Sequence, residues 1–446
     1  KIKQIFSNNI MIIDEVHNIK ETTDTKMLPK ILKQVLEIAD NLKLLLLSAT
    51  PMFDKPDEII DILNLLLIND NRVIIEKKHV FNNNKITAEG KDILSNKSRG
   101  YVSYLRGEHP IKFPQRLYPD IFDNPEIEEY KEHKQSIIKE YPKLDVKKKE
   151  IKDENRIKLL KIIGCPMDKY QLEKYNSMSI NSTDENMGAF NIGGLTASNI
   201  VYPSEDTEVS INQITGETGF KQIFKREPNK KFSFIDDKYE NMFSKAEIKK
   251  YSSKISTIIN NIDKSEGIVF IYSQFIYAGT LPLAMALESN GYSKFDGSLL
   301  SKKSQEQYKK DKKFIIISGD NEVSKDAYSK YLRLEKENMN GEKVKVIIGS
   351  QTAAEGLDFK YIREVHILDP WYHFNKIEQV VGRGIRNCSH IDLDEAKRNV
   401  LVYMYASTLS DNPSNDLETI DLNLYRISER KMKQISEIEY LLKTNA

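Results

Sequence analysis

Short apolar runs alternate with segments of helical spacing along most of the chain. Ile10–Ile13, Leu44–Leu47, Gly267–Tyr272, Phe314–Ile317, Val344–Ile348, Val365–Leu368 and Val400–Tyr405 are short, predominantly apolar runs. Such runs predict strands of a parallel sheet covered on both faces. Between them, Met27–Asn41, Asp57–Leu67, Lys250–Ile262, Ala278–Asn290 and the mostly polar Val323–Glu337 have helical character. The apolar faces expected are Met27, Ile31, Val35 and Ile38 in the first helix, then Ile59, Ile60, Leu63, Leu66 and Leu67 in the second. In Ala278–Asn290 they are Leu281, Leu283, Ala286 and Leu287. Ile420–Leu442 adds a helical extension. Strands and helices alternating on this scale predict an α/β, doubly wound sheet, whose ligands bind beyond the carboxyl ends of the strands.

Those ends carry the chemistry. Ile10–Ile13 runs into Asp14-Glu15-Val16-His17, and Leu44–Leu47 into Ser48-Ala49-Thr50-Pro51. A carboxylate at such a tip can hold Mg²⁺, and its neighbour can orient an attacking water. Val344–Ile348 leads to Ser350-Gln351-Thr352 and then Gly356-Leu357-Asp358. Val365–Leu368 leads to Asp369-Pro370-Trp371 and a helical segment with Gln379, Gly382, Arg383 and Arg386. Gln379, Arg383 and Arg386 stand at i, i+4 and i+7 and share one helix face. Two guanidiniums and an amide, with a glycine allowing close approach, suit a phosphate better than a core.

DEVH at Asp14–His17, SATP at Ser48–Pro51, the EGLDF stretch ending at Phe359 and QxxGRxxR at Gln379–Arg386 resemble motifs II, III, V and VI of superfamily 2 helicases. Tyr272–Phe275 resembles motif IV of the Swi/Snf-like branch, which also places DPW before its Gln-Arg helix. SATPMFDKPDEIIDILNLLL, SRGYVSYLRGEHPIKFP and IREVHILDPWYHFNKIEQVVGRGIRNCSH are similar to helicases of large cytoplasmic DNA viruses. The relatives meant are the small subunit of the poxvirus early transcription factor and poxvirus nucleoside triphosphatase I. The likeness spans nearly the whole chain and is weakest around 181–233.

The resemblance implies two RecA-like doubly wound parallel-sheet domains with ATP hydrolysed between them. It implies catalytic roles for Asp14 (on Mg²⁺, through water), Glu15, Gln379, Arg383 and Arg386, the arginines stabilising charge on the γ-phosphate. His17, Ser48, Ala49, Thr50, Gly356, Asp358 and Gly382 would shape the ATP site or couple it to nucleic acid. Gln274, Ser350, Gln351 and Thr352 would contact a phosphate backbone. The implied function is an ATP-driven motor on DNA, duplex favoured, in viral-type transcription, beside RNA polymerase or transcription-factor subunits. An RNA helicase in transcript release or processing, and a transcription-complex scaffold without ATPase activity, stay open.

One departure stands out. The phosphate loop GxxxxGK[ST] of this superfamily does not occur in the chain. It is expected upstream of Lys1, the chain being read as a piece of a longer protein cut at both ends, inactive in ATP hydrolysis by itself. The expected domains are 1–180, the later part of the first RecA-like domain with a helical insertion; 181–245, a partly flexible linker; 246–408, the second RecA-like domain; and 409–446, a helical extension. Gln115–Ile121 is expected as a strand returning to the first domain, with Cys165–Gln171 continuing that likeness. Glu126–Lys161, with mixed Lys and Glu, reads as a solvated helical hairpin or loop. Ser198–Pro203 is an apolar island able to dock on a domain.

Composition narrows the rest. A length of 446 residues suits two or three domains, and a net charge of +1 means that any nucleic-acid surface is local. Cys165 and Cys388 are too few for a disulfide framework or zinc site and fit a reducing compartment. No apolar run approaches the ~20 residues of a membrane span. A cytoplasmic setting is expected, in host cytoplasm, viral factory or virion. Trp371 is expected to pack rather than stack on bases, and His366, His373 and His390 to be structural.

Overall fold

The computed structural model describes residues 1–19, 27–104, 111–128, 130–177, 192–206, 209–301, 312–319, 324, 326–351 and 357–446. It divides into two compact units. One comprises Lys1–Gly107, His373–Asn375 and Ile427–Ala446, the other Glu108–Tyr372 and Lys376–Arg426.

The larger unit is built on an eight-stranded parallel sheet. Its order is Ser293–Lys294, Lys313–Ile317, Val346–Gly349, Ile268–Tyr272, Ile362–Ile367 and Asn399–Thr408, with Gln115–Leu117 and Ile162–Pro166 both pairing along the last. Every residue of Ile268–Tyr272 and Val346–Gly349 is buried, as strands covered on both faces require. Ser253–Lys264 and Leu281–Ser289 pack their apolar residues against this sheet, including Ile255, Ile258, Ile262, Leu283 and Leu287. Burial of each such side chain contributes roughly 1.5–3 kcal/mol before the entropic cost of ordering. The chain leaves Val346–Gly349 on one side of Ile268–Tyr272 and returns as Ile362–Ile367 on the other. Ligand crevices of doubly wound sheets form at such a reversal.

Two expectations differ from this sheet. Gln115–Leu117 and Ile162–Pro166 pair with Asn399–Thr408 of the large sheet rather than returning to the first domain. The stretch expected as a partly flexible linker is folded over its described residues, 192–206 and 209–245. It contributes helices Ile192–Asn199 and Gly216–Ile223 and a hairpin of Phe224–Arg226 with Phe232–Phe234. Phe220, Phe224, Phe232 and Phe243 put it into the main core, where aromatic burial outweighs the polar residues between them. The Ser198–Pro203 island is buried as anticipated, with the Tyr202 hydroxyl donating to Tyr277 O at 2.5 Å. Most of the described part of Glu126–Lys161 is irregular, with short helical turns at Tyr130–His133 and Asp153–Asn155.

In the smaller unit, Ile10–Ile13 pairs in parallel with Lys43–Leu46. One face of the pair, Met11, Ile13, Leu44 and Leu46, packs with Leu32, Val35 and Leu36 of helix Met27–Ile38. The opposite face is open: Ile10 is 72%, Ile12 61% and Leu45 47% exposed. Of the predicted face of helix Met27–Ile38, only Val35 is buried, and Met27, Ile31 and Ile38 are exposed. Helix Glu58–Asn69 packs Ile59, Ile60, Leu63 and Leu67 with Ile435, Ile438 and Leu442 near the chain's end. Among the described residues no helix is long and apolar enough to cross a membrane.

Candidate functional site

The smaller unit gathers the first group of motif residues at the ends of its two strands. Leu47 N–H donates to Ile13 O and Val16 N–H to Leu47 O, so the ladder carries Asp14–His17 directly beside Ser48–Thr50. Glu15 takes a left-handed conformation, φ 51°, which costs a non-glycine residue about 1–2 kcal/mol. That turn leaves Asp14 and Glu15 exposed while burying Val16 and His17. The Asp14 Oδ1 accepts the Glu15 N–H at 2.9 Å, and the Asp14 side chain is exposed. His17 is the hinge of this group. Its Nδ1 lies 2.8 Å from Ser48 Oγ and 3.3 Å from Glu15 Oε2, and Ser48 Oγ accepts the Thr50 N–H at 3.1 Å. Three contacts thus link Glu15 to Thr50 by way of His17 and Ser48, with Ala49 in the turn between.

Among the described residues no three His, Cys, Asp or Glu side chains cluster closely enough to cage a metal. An exposed carboxylate fits Mg²⁺, which keeps several waters and takes its other ligands from substrate phosphates. Asp14 would hold such an ion through water, and Glu15 stands next to it as the candidate to orient a nucleophile.

The larger unit gathers the second group. The Gln379 helix ends early: Phe374–Val381 is helical, and Gly382–Arg386 continues as tight turns. The seven-residue helical face predicted from spacing is thus not formed, yet Arg383 and Arg386 still converge. Arg383 Nη1 donates to Leu357 O at 2.9 Å and Arg386 Nη2 to the same oxygen at 3.2 Å. Arg386 also donates Nε to Gly382 O and pairs Nη1 with Asp358 Oδ1 at 3.1 Å. Asp358 is fastened by the Tyr328 hydroxyl, which accepts its N–H and donates to its carbonyl oxygen. Both guanidiniums are held close together by carbonyl and carboxylate partners that an incoming phosphate could replace. Gln379 is half-buried one turn earlier.

The nucleic-acid candidates Gln274 and Ser350 follow the ends of neighbouring strands, Ser273 N–H donating to Gly349 O at 3.1 Å. Gln274 donates its backbone N–H to Asp369 Oδ2 at 3.0 Å, and Asp369 also accepts Ser273 Oγ at 2.5 Å and Asn199 Nδ2 at 3.2 Å. Burial raises the Asp369 carboxyl above its ordinary range, opposed by those hydrogen bonds and by Lys254. Ser350 is buried with its N–H on Ile317 O, while Gln351 is exposed. Thr352 and Gly356 lie outside the described residues.

Sequence reasoning missed several groups that set this geometry. Arg116 forms a two-bond fork with Glu378, at 3.0 and 2.8 Å, tying the Gln379 helix to the sheet edge. Lys254 and Asp421, both fully buried, pair at 2.8 Å. Asp369 enters the sequence pattern only as part of DPW, and Tyr328 lies in a segment with no motif. These partners are far apart in sequence and carry no local signal. The three histidines expected to be structural have partners: His366 contacts Glu364 and Tyr405, and His390 contacts Ile362 O and Ser389. His373 pairs with Asp54 at 3.1 Å.

A family model described as the helicase conserved C-terminal domain matches residues 253–388. The chain is 28% identical, over 91% of its length and 61% of the relative's, to an Acanthamoeba polyphaga mimivirus protein provisionally named an ATP-dependent RNA helicase. It is 27% identical, over 100% of its length and 40% of the relative's, to a provisionally named helicase of Invertebrate iridescent virus 3. It is 23% identical, over 92% of its length and 38% of the relative's, to the early transcription factor large subunit homolog of African swine fever virus. The chain spans 38–61% of the length of these curated relatives. The strand-end motifs, the parallel sheet and these likenesses agree: residues 253–388 match the helicase conserved C-terminal domain, and the chain is similar over most of its length to helicase-type proteins of large DNA viruses.

Proposed function

We propose that this chain belongs to an ATP-driven nucleic-acid motor acting in viral-type transcription, with duplex DNA as its track. The observation that carries the reading is the paired arrangement of Arg383 and Arg386 on Leu357 O, in a domain of helicase type. Arg386 pairs with Asp358, a carboxylate that is 61% exposed. In the proposed mechanism Asp14 holds Mg²⁺ through water and Glu15 orients the attacking water. Arg383 and Arg386 stabilise charge developing on the γ-phosphate. His17, Ser48 and Thr50 transmit the state of that site, and Gln274 and Gln351 touch backbone phosphates, contacts that carry no sequence information.

An RNA track is the second reading, favoured by the name of the mimivirus relative. The deciding measurement is ATP hydrolysis by the intact protein without nucleic acid and with duplex DNA, single-stranded DNA or RNA. Stimulation by duplex DNA is expected; preference for RNA replaces the track, and no hydrolysis under any condition overturns the motor. Arg386→Ala in the intact protein is expected to lower stimulated turnover by about 10³-fold or more. Near-normal turnover would remove Arg386 from the site.

A further inference from the structure

All the motifs lie at or beyond the carboxyl ends of the strands, but the larger unit also has a pocket at their amino ends. It measures about 610 Å³, within the usual span of ligand sites, and its wall includes Gly267, Lys312, Lys345, Arg363 and Lys397. Gly267 precedes Ile268–Tyr272, Lys312 precedes Lys313–Ile317, Lys345 precedes Val346–Gly349, and Lys397 precedes Asn399–Thr408. Arg363 is the second residue of Ile362–Ile367. Five neighbouring parallel strands thus point their beginnings at one cavity.

Two glycines let its wall close up. Gly267, φ +65°, lies so near Arg363 that a Cβ there would meet Arg363 Cγ at 2.5 Å. Gly341, φ +78°, would place a Cβ 2.8 Å from Gly267 O. Part of the charge here is structural. Lys345, 4% exposed, donates Nζ to Ser265 O and Gly267 O, both at 2.7 Å, covering the carbonyl end of helix Ser253–Lys264. That leaves one ammonium N–H and does not account for Lys312 and Arg363. Arg363 spends two donors on Asn399, and among the described residues neither it nor Lys312 has a carboxylate at ion-pair distance. The wall carries four cations, Lys312, Lys345, Arg363 and Lys397, against two carboxylates, Glu266 and Glu342. Burial lowers the Lys345 ammonium to about 8; Glu364 and Glu266 oppose this, while Lys312 and Arg363 add repulsion. The fold therefore holds like charges within each other's field, an arrangement that a bound anion relieves.

We infer that this pocket binds a phosphate group through Lys312, Arg363 and Lys345, as a second anion site at the end of the sheet opposite the helicase motifs. It stands independently of the nucleotide reading above. Two sources share the chemistry, a small phosphate ester and a nucleic-acid backbone. The test is calorimetric titration of the chain with inorganic pyrophosphate, repeated in the presence of a short DNA duplex. Saturable binding is expected, weakened about tenfold by Lys312→Gln and by Arg363→Gln and tightened by Glu266→Gln. Binding that survives Lys312→Gln and is lost in Arg386→Gln would place the phosphate on the motif arginines and overturn the proposal. Competition by the duplex assigns the phosphate to a backbone, and its absence assigns it to a small ester. Arg363→Gln also loses bonds to Asn399, so Lys312→Gln, on a less buried side chain, guards against a folding artefact. No saturable binding, or equal affinity in Lys312→Gln with an unchanged melting temperature, overturns the proposal.

Discussion

Replacing Lys254 with methionine isolates the largest electrostatic commitment in the larger unit. Lys254 and Asp421 are both 0% exposed, and Asp421 Oδ2 accepts Lys254 Nζ and Ser407 N–H, each at 2.8 Å. Methionine keeps most of the unbranched stem, so packing changes little and the charge is what disappears. Asp421 is then a buried carboxylate with one backbone donor, and breaking such a pair costs about 3–5 kcal/mol. Two features pull in opposite directions. Asp421 sits in the first turn of helix Ile420–Thr444, where the helix N-terminus favours negative charge and trims the cost. Asp369 also draws on Lys254, so a second buried carboxyl loses support. We expect about 3–5 kcal/mol for Lys254→Met and a similar loss for Asp421→Leu. The double variant should lose well below their sum, because no unpaired charge remains. Trp371, the single tryptophan, lies in the same unit, so its fluorescence during equilibrium denaturation reports this transition. A loss below about 1 kcal/mol for Lys254→Met, or a double variant equal to the sum of the singles, would refute the argument.

Further outcomes follow from other contacts. Burial lowers His390 from 6.5 to about 4, so the unfolded chain binds a proton in that window that the folded one refuses. Stability is complete above about pH 6.5 and falls as pH drops toward 4, by about 3 kcal/mol; His390→Gln should flatten that part of the pH–stability curve. Asp54 is held well below the ordinary carboxylate range by His373 and Lys431, which outweigh the opposing effect of burial. Its contribution is present above its ordinary value near 3.8 and is lost as pH falls below it, so Asp54→Asn should remove acid sensitivity there rather than near neutrality. Arg116→Ala should cost roughly 1 kcal/mol, since the fork to Glu378 is about one-third exposed and solvent screens it. Hydrogen exchange should rise along Phe374–Val381 in that variant, and unchanged protection there would mean that the fork does not hold the helix.

Much of this was written locally in the chain. Runs such as Ile268–Tyr272 and Val346–Gly349 need burial on both faces, and only a covered parallel sheet provides it. The residues at their ends then fall where loops meet a crevice, so pattern and spacing single out the Asp14-Glu15 tip and the two arginines as candidates, while the roles proposed for them and for SATP come with the helicase resemblance. Helix Leu281–Ser289 was equally plain, because its apolar positions leave no alternative face. What the chain could not announce was pairing across long separations. Gln115–Leu117 and Ile162–Pro166 are short strands whose partner begins at Asn399, and their local pattern suits either sheet. Residues 192–243 looked loose because polar residues dilute their periodicity, yet a few well-placed aromatics bury enough area to order them. Arg116 with Glu378, Lys254 with Asp421 and the cationic pocket at the strand beginnings exist only once the sheet is assembled. Local sequence decides which residues must leave water and where a strand stops; the tertiary structure decides which charges then meet, because Coulomb attraction and desolvation depend on distances that only folding creates.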